Sequence, residues 1–354
     1  MKEHPSFQPK PPGFQKSSLR IFFAGSPSIA VPALEALLEL ADLPDDRAAA
    51  EACRFELAGV LTNPDSPRGR SGKPEPTAVG AAAALAAEKN ANRGKQALAI
   101  IKAPKLDAAV RSAVAALEPD LLVSFAYGRI FGPKFLALFP LGGINIHPSL
   151  LPKYRGAAPI PAAILHRERE TGISIQRLAA EMDSGDILAR KVLPLTGRET
   201  TETLSKTAAE KTVPLLIETL KDISRGTVRA EPQNHGEASY CSMLSRDEGR
   251  IDWNQTAVDI DARIRAFNPW PLCWTKQGDQ LLYILAASPG ISCPPAGGRS
   301  EPGDVLGIDK QEGILVQTGD GVLVVSRLQY EARKALDWRA FLNGARGFME
   351  SRLG

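Results

Sequence analysis

The stretch Leu19–Leu40, LRIFFAGSPSIAVPALEALLEL, carries the first clear signal of architecture. Its opening LRIFFA is a short apolar run, the pattern of a strand buried on both faces. Gly25-Ser26-Pro27 ends that run as a turn. Pro27 suits the first turn of a helix, where a missing N–H costs nothing. From Ile29 to Leu40 the apolar residues recur at helical spacing. A buried strand feeding directly into a helix is the unit of a parallel α/β sheet.

The unit repeats downstream. Strands are predicted at Phe55–Leu61, Ala97–Ile101, Asp120–Phe125 and Gly143–Ile146, with helices at Ala78–Lys89, Asp107–Leu117 and Pro133–Leu138. The alternation predicts an α/β domain with a doubly wound, mostly parallel, Rossmann-like sheet. Ligands in such sheets bind beyond the carboxyl ends of the strands. Those ends are Gly25-Ser26, Thr62-Asn63, Ala126-Tyr127 and Asn145–His147. Helices at Ala157–Arg167 and Thr201–Lys221 follow, around two paired strands, Gly172–Leu178 and Ile187–Leu193. The polar stretch 226–235 reads as a linker. Beyond it, short strand-like runs at Leu281–Ala286, Asp304–Ile308, Gly313–Thr318 and Val322–Leu328 are separated by Gly-rich turns, with a helix at Ala257–Phe267. That grammar predicts a smaller β-barrel-like domain. The expected plan is an extension over 1–18, a first domain over 19–225, the linker and a second domain over 236–354.

Residues 1–18 carry five Pro or Gly and both charge signs, without the apolar core of a signal peptide. They read as a disordered extension. Residues 41–54 are Ala- and acid-rich and read as an insertion. Apolar residues make up 44% and charged residues 23%, enough to bury a core. No apolar run reaches the roughly 18 residues of a membrane span, and the chain is expected to be cytoplasmic. Cys53, Cys241, Cys273 and Cys293 form no C-x-x-C pair and no zinc-ligand spacing with a His, so no metal is expected. Residues 1–234 hold 30 Lys+Arg against 25 Asp+Glu, and residues 235–354 hold 13 against 15. Neither half has the surplus typical of a nucleic-acid binder, so any basic face must come from arrangement. No G-x-G-x-x-G, Walker A or G-x-S-x-G motif is present, which argues against a tightly held dinucleotide and a serine nucleophile.

The polar residues at the strand ends carry the chemistry. Asn145 and His147 stand two apart, so period two puts both side chains on one face. An Asn amide can donate to an oxyanion, and a His can stabilise that charge or move a proton. From the residues alone, the pair equally fits a structural role at the end of a strand. Asp183, in the turn Asp183-Ser-Gly-Asp186, either caps its own turn or approaches His147. Arg68, Arg70 and Lys73 lie in TNPDSPRGRSGKPEPT, all turn chemistry. They form either a solvated loop or a phosphate-contacting arm.

Asn145–Ile160, NIHPSLLPKYRGAAPI, closely resembles the hallmark segment of the folate-dependent formyltransferases. The resemblance covers nearly the whole chain from Leu19. It implies that Asn145, His147 and Asp183 form the catalytic trio. It implies folate contacts at Ser149, Leu150, Leu151 and Pro152, and a pterin pocket lined by FAYGRI, with Phe125, Tyr127 and Arg129. It implies 10-formyltetrahydrofolate as co-substrate, with no cofactor held tightly. TNPDSPRGRSGK resembles a basic loop that enters the acceptor arm of initiator tRNA. LSRDEGRIDW and IRAFNPWP resemble an OB-like, tRNA-contacting carboxy-terminal module. The implied acceptor is the methionine amine of initiator methionyl-tRNA. A small-amine acceptor, or water in a formyltetrahydrofolate hydrolase, is the alternative. The 1–18 extension, the 41–54 insertion and the acidic balance of the second domain depart from the family pattern.

Overall fold

A computed structural model describes residues 18–43, 54–67, 72–94, 97–290 and 300–354. Residues 1–17 of the expected extension and 44–53 of the expected insertion lie outside the described residues. Ser18 opens the first strand. The chain divides into two compact units, one of residues 1–159, 171–193 and 205–241, the other of 160–170, 194–204 and 242–354.

The first unit is built on seven strands: β1 (Ser18–Gly25), β2 (Arg54–Thr62), β3 (Ala99–Lys102), β4 (Leu121–Phe125), β5 (Gly143–His147), β6 (Glu170–Arg177) and β7 (Ile187–Pro194). Their order is β7-β6-β5-β4-β1-β2-β3. The pairs among β1 to β5 are parallel, whereas β6 runs antiparallel to β5. The strand order reverses at the β1/β4 boundary, the place where open α/β sheets leave a crevice. Helices α1 (Val31–Ala41), α2 (Ala78–Asn92), α3 (Ala108–Ala115) and α4 (Pro133–Leu136) lie along the connections. Thr77 starts α2 by accepting from the Gly80 N–H, and Asp107 starts α3 by accepting from Val110. Phe22, Ala24, Leu61 and Leu122 of the sheet bury themselves against Phe131, Phe135 and Phe139. Two further helices follow in the chain: α5 (Pro159–Leu165), which groups from Ile160 on with the second unit, and α6 (Thr201–Arg225), which groups from Ser205 on with the first.

The second unit carries an antiparallel sheet of β8 (Cys273–Gln277), β9 (Gln280–Pro289), β10 (Val305–Asp309), β11 (Gly313–Gln317) and β12 (Val322–Tyr330), in the order β8-β9-β12-β11-β10. Helix α7 (Ala257–Ala266) and helix α8 (Trp338–Leu342) belong to it. The antiparallel domain fits the expected class. Among the described residues, however, no continuous ladder closes it into a barrel. The tail makes single bridges to the two edges instead, Leu353 to Gln277 of β8 and Arg352 to Asp304 beside β10.

Two features differ from the sequence-based expectation. Strand β8 has no clear signal in the sequence, because its inward side chains are Cys273 and Thr275, not large apolar ones. Thr275 tolerates burial because its hydroxyl accepts from the Trp253 indole N–H at 3.0 Å. The polar stretch 226–235, expected to be a linker, groups with the first unit, which runs on to Cys241. Glu231 bridges Ile187, and Tyr240-Cys241 pair in parallel with Arg155-Gly156. Its polarity belongs to a network in which Gln233 is buried.

Candidate active site

Strand β5 delivers Asn145 and His147 at its carboxyl end. Their partners on β6 are Gln176 and Ser174 in turn. Cross-strand partners share a face, so four polar side chains meet on one patch of an otherwise apolar sheet. His147 is almost fully enclosed. Its Nε2 lies 2.8 Å from the carbonyl oxygen of Tyr154. A carbonyl only accepts, so Nε2 carries a hydrogen and Nδ1 is the position left for proton exchange. Nδ1 faces Asp183 Oδ2 at 3.5 Å.

The turn between β6 and β7 brings Asp183 to this patch. Asp183 Oδ1 accepts from Asn145 Nδ2 at 3.2 Å and from Gln176 Nε2 at 2.7 Å, and Oδ2 accepts from the Gly156 N–H at 2.9 Å. Three N–H donors suit an acceptor-only carboxylate. Asn145 spends one amide hydrogen on this bond and keeps the second. Asp183 holds a left-handed backbone, φ 51°, which is uncommon for a residue with a side chain. Such a conformation persists only where the surroundings over-determine it.

Gly156 answers to the same geometry. Its φ is 115°, and a Cβ there would stand 2.2 Å from the carbonyl oxygen of Cys241. The glycine therefore lets Arg155-Gly156 lie against Tyr240-Cys241 while its N–H reaches Asp183. Burial pushes the Cys241 thiol up. A hydrogen bond from Ala158 opposes that shift, and the Asp183 charge adds to it.

The remaining predicted residues divide by placement. Ser149 is buried, and its hydroxyl donates to the Lys153 carbonyl at 2.7 Å. The Leu151 N–H donates to Ser174 Oγ, which donates in turn to the Ser149 carbonyl. Ser149 and Leu151 thus brace the loop from inside, while Leu150 and Pro152 are half-buried. Phe125 is buried. Tyr127 is buried as well, stacked on Phe131 with ring centroids 5.3 Å apart, and its hydroxyl has no hydrogen-bond partner. Burial pushes the Tyr127 phenol up, against the nearby Arg129 charge. Arg129 and Ile130 face outward here, and Arg129 Nε donates to Asn63 Oδ1 at 2.7 Å. Asn63 in turn donates to Ser26 Oγ and to the Tyr127 carbonyl. These bonds join the ends of β1, β2 and β4. Arg68 and Arg70 lie outside the described residues. Lys73 is exposed beside the short ladder of Ser66-Pro67 and Pro74-Glu75.

Sequence reasoning passes over Gln176, Gln233 and Arg155. Gln176 has a signal: in Thr171–Arg177 the polar residues Ser174 and Gln176 stand at period two in an apolar strand. Gln233 has none, being one polar residue in a polar stretch. Among the described residues, no group of three or more His, Cys, Asp or Glu is placed to hold a metal ion. No helix there is long and apolar enough to cross a membrane.

Comparison with known proteins places the chain in a family. Residues 38–220 match the family described as formyl transferase, and residues 243–346 match the formyl transferase C-terminal domain. The chain is 45% identical over 335 residues to the methionyl-tRNA formyltransferase of Treponema denticola, covering 94% of this chain and 98% of that one. It is 36% identical over 329 residues to the same enzyme of Pseudomonas fluorescens, covering 93% and 94%. Among solved structures, an N-formyltransferase from Helicobacter canadensis, in complex with folinic acid and dTDP-3-aminofucose, has the same fold with a TM-score of 0.59. Its identity is 19%, with 87% of this chain and 99% of that one covered. HypX from Aquifex aeolicus, in complex with tetrahydrofolic acid, gives 0.58 at 16% identity, covering 92% of this chain and 47% of that one. With both domain types matched in order and relatives of this identity spanning almost its full length, the chain belongs to the formyltransferase family, in its methionyl-tRNA formyltransferase branch.

Proposed function

We propose that this chain transfers the formyl group of 10-formyltetrahydrofolate to the methionine amine of initiator methionyl-tRNA. The observation that carries the chemistry is the Asp183 carboxylate, which touches Asn145 and faces His147 within 3.5 Å at the end of β5. The near-full-length identity to methionyl-tRNA formyltransferases supports the acceptor.

The amine nitrogen attacks the formyl carbon, and the carbonyl oxygen takes up negative charge. The second hydrogen of Asn145 Nδ2 donates to that oxygen, the role of an oxyanion donor. His147, with Nε2–H fixed on Tyr154, is oriented to exchange a proton at Nδ1. A proton lost by the attacking nitrogen passes to Nδ1, where Asp183 Oδ2 stabilises the resulting imidazolium. The tetrahedral intermediate collapses by breaking the bond from carbon to N10, and the proton is delivered to N10. The products are N-formylmethionyl-tRNA and tetrahydrofolate.

On this reading the folate lies along Ser149–Pro152 and the β4 end, with Arg129 as its charged neighbour and Phe125 and Tyr127 as the packed support beneath. Arg68, Arg70 and Lys73 bind the phosphates of the acceptor arm. The test is an acceptor panel. Protein and formylfolate are mixed with initiator methionyl-tRNA, an amino sugar nucleotide, a purine-precursor amine or buffer alone. Formylation of the tRNA at least about tenfold faster than of the rest is expected. Equal release of formate in buffer alone would assign a hydrolase instead.

A further inference from the structure

The hydrogen bonds behind Asp183 have a direction, and that direction begins at a buried arginine. Arg155 is 1% exposed. Its Nε and Nη2 donate to Gln233 Oε1 at 3.1 and 2.7 Å. A guanidinium cannot accept, so the Gln233 oxygen is compelled to face it. The Gln233 nitrogen then points the other way. It lies 2.9 Å from the Asp183 carbonyl oxygen, 2.6 Å from that of Gly185 and 3.2 Å from Gln176 Oε1. With its oxygen turned to Gln233, Gln176 presents its own nitrogen to Asp183 Oδ1 at 2.7 Å. Flipping the Gln233 amide would set oxygen against three oxygens, and flipping Gln176 would set oxygen against a carboxylate.

We infer that Gln233 is a positioning residue for formyl transfer: it pins the main chain of the Asp183 turn and sets the polarity of the Gln176 amide that holds the Asp183 carboxylate. This inference rests on the proposed role of Asp183. It assigns a task to a residue in the stretch that looks like a linker in the sequence, and it explains how a left-handed aspartate is kept in place. Two main-chain carbonyls of the turn are tied to one amide nitrogen, and that amide is itself locked by a charge. Arg155 has two further partners, donating to Tyr240 Oη and to His235 Nδ1, each at 3.2 Å. Both partners accept, so neither can turn the guanidinium away from its donor role.

The test is the substitution Gln233→Glu. Glutamate keeps the size and strengthens the bond to Arg155, so the fold keeps its anchor. It also replaces the one donor with an oxygen facing three oxygens. The expected result is a kcat lowered about tenfold to a hundredfold, the scale of one hydrogen bond to a charged group, with KM for formylfolate and methionyl-tRNA within about twofold. Gln176→Met should lower kcat in the same way. Combined with Gln233→Glu it should cost less than the product of the two single effects, because both act through Asp183. Where Gln233→Glu yields no folded protein, Gln233→Met takes its place under the same criteria. An unchanged kcat, a loss confined to KM, or strictly multiplicative effects would overturn the inference. Asp183→Asn serves as the control. If that variant is fully active, the reading of the site itself fails. If it is inactive while the Gln233 variants are normal, only the positioning role falls.

Discussion

Gly156→Ala would meet two penalties at once, backbone strain and a clash with a neighbouring main chain. The residue sits at φ 115°, a region that side chains rarely enter. Holding alanine there costs about 1–3 kcal/mol of backbone strain. The new methyl would also meet the Cys241 carbonyl oxygen at 2.2 Å and its carbon at 3.2 Å, both backbone atoms. Relieving that clash means prising Arg155-Gly156 from Tyr240-Cys241, an overpacking cost of about 1–3 kcal/mol. The sum is about 2–6 kcal/mol, or a midpoint lowered by roughly 5–20 °C for a unit of this size. Movement of the Gly156 N–H also removes its 2.9 Å bond to Asp183, so kcat should fall in whatever protein remains folded. Thermal unfolding followed by circular dichroism, with turnover measured well below the midpoint, reads both effects. A midpoint within about 1 °C of wild type would mean that the close approach to Cys241 carries no strain.

Three further outcomes are expected. Replacing Arg68, Arg70 and Lys73 together with Ala should weaken binding of initiator methionyl-tRNA and flatten its dependence on salt. The slope of log K against log salt should fall by about one for each phosphate no longer neutralised, and an unchanged slope would remove the loop from the tRNA site. Tyr127→Phe should leave stability equal or raise it by about 1 kcal/mol in denaturant titration, because it deletes a buried hydroxyl without a partner. A clear loss would show that the hydroxyl has a partner in the working enzyme. Glu199 is a hub for Thr196, Gly197 and Arg198 backbone N–H groups and for the Thr196 hydroxyl. Burial alone would raise its carboxyl, but these bonds outweigh it and hold the group below the ordinary 4.5. Its folded pKa is depressed, so its contribution is present above the ordinary value and lost as pH falls through the folded one. Glu199→Gln should therefore reduce the acid-side decline in stability, and an identical pH profile would contradict the assignment.

How much of this is visible in the sequence depends on whether a residue's environment is written in its neighbours. The β1–α1 unit is plain, because a six-residue run with five apolar side chains, followed through one tight turn by a helix, has the pattern of a buried parallel strand. Asn145 and His147 are visible as a pair because period two is a local property. Their approach to Asp183 is not, because it depends on the antiparallel β6 and on a turn held by a residue some 50 positions away in the chain. Gln233 is invisible for a different reason. A buried amide in a polar stretch looks like a solvated one until its partners are seen. Tyr127 shows the reverse: expected to line a pocket, its ring packs into the core, and its main-chain carbonyl meets Asn63. Strand β8 is hidden because its interior side chains are Cys and Thr, and Thr275 is tolerable there only because Trp253 donates to it.

On the proposed mechanism, Asn145 stabilises the developing oxyanion from a position fixed by Asp183. Single-turnover formylation of methionyl-tRNA, with saturating 10-formyltetrahydrofolate, compares wild type with Asn145→Ala most directly. Loss of an oxyanion donor costs about 2.7–4 kcal/mol, so the rate should fall by roughly 100-fold or more while folate affinity changes little. A rate close to that of wild type, in a variant that still binds folate and unfolds at the same temperature, would show that Asn145 is not the oxyanion donor.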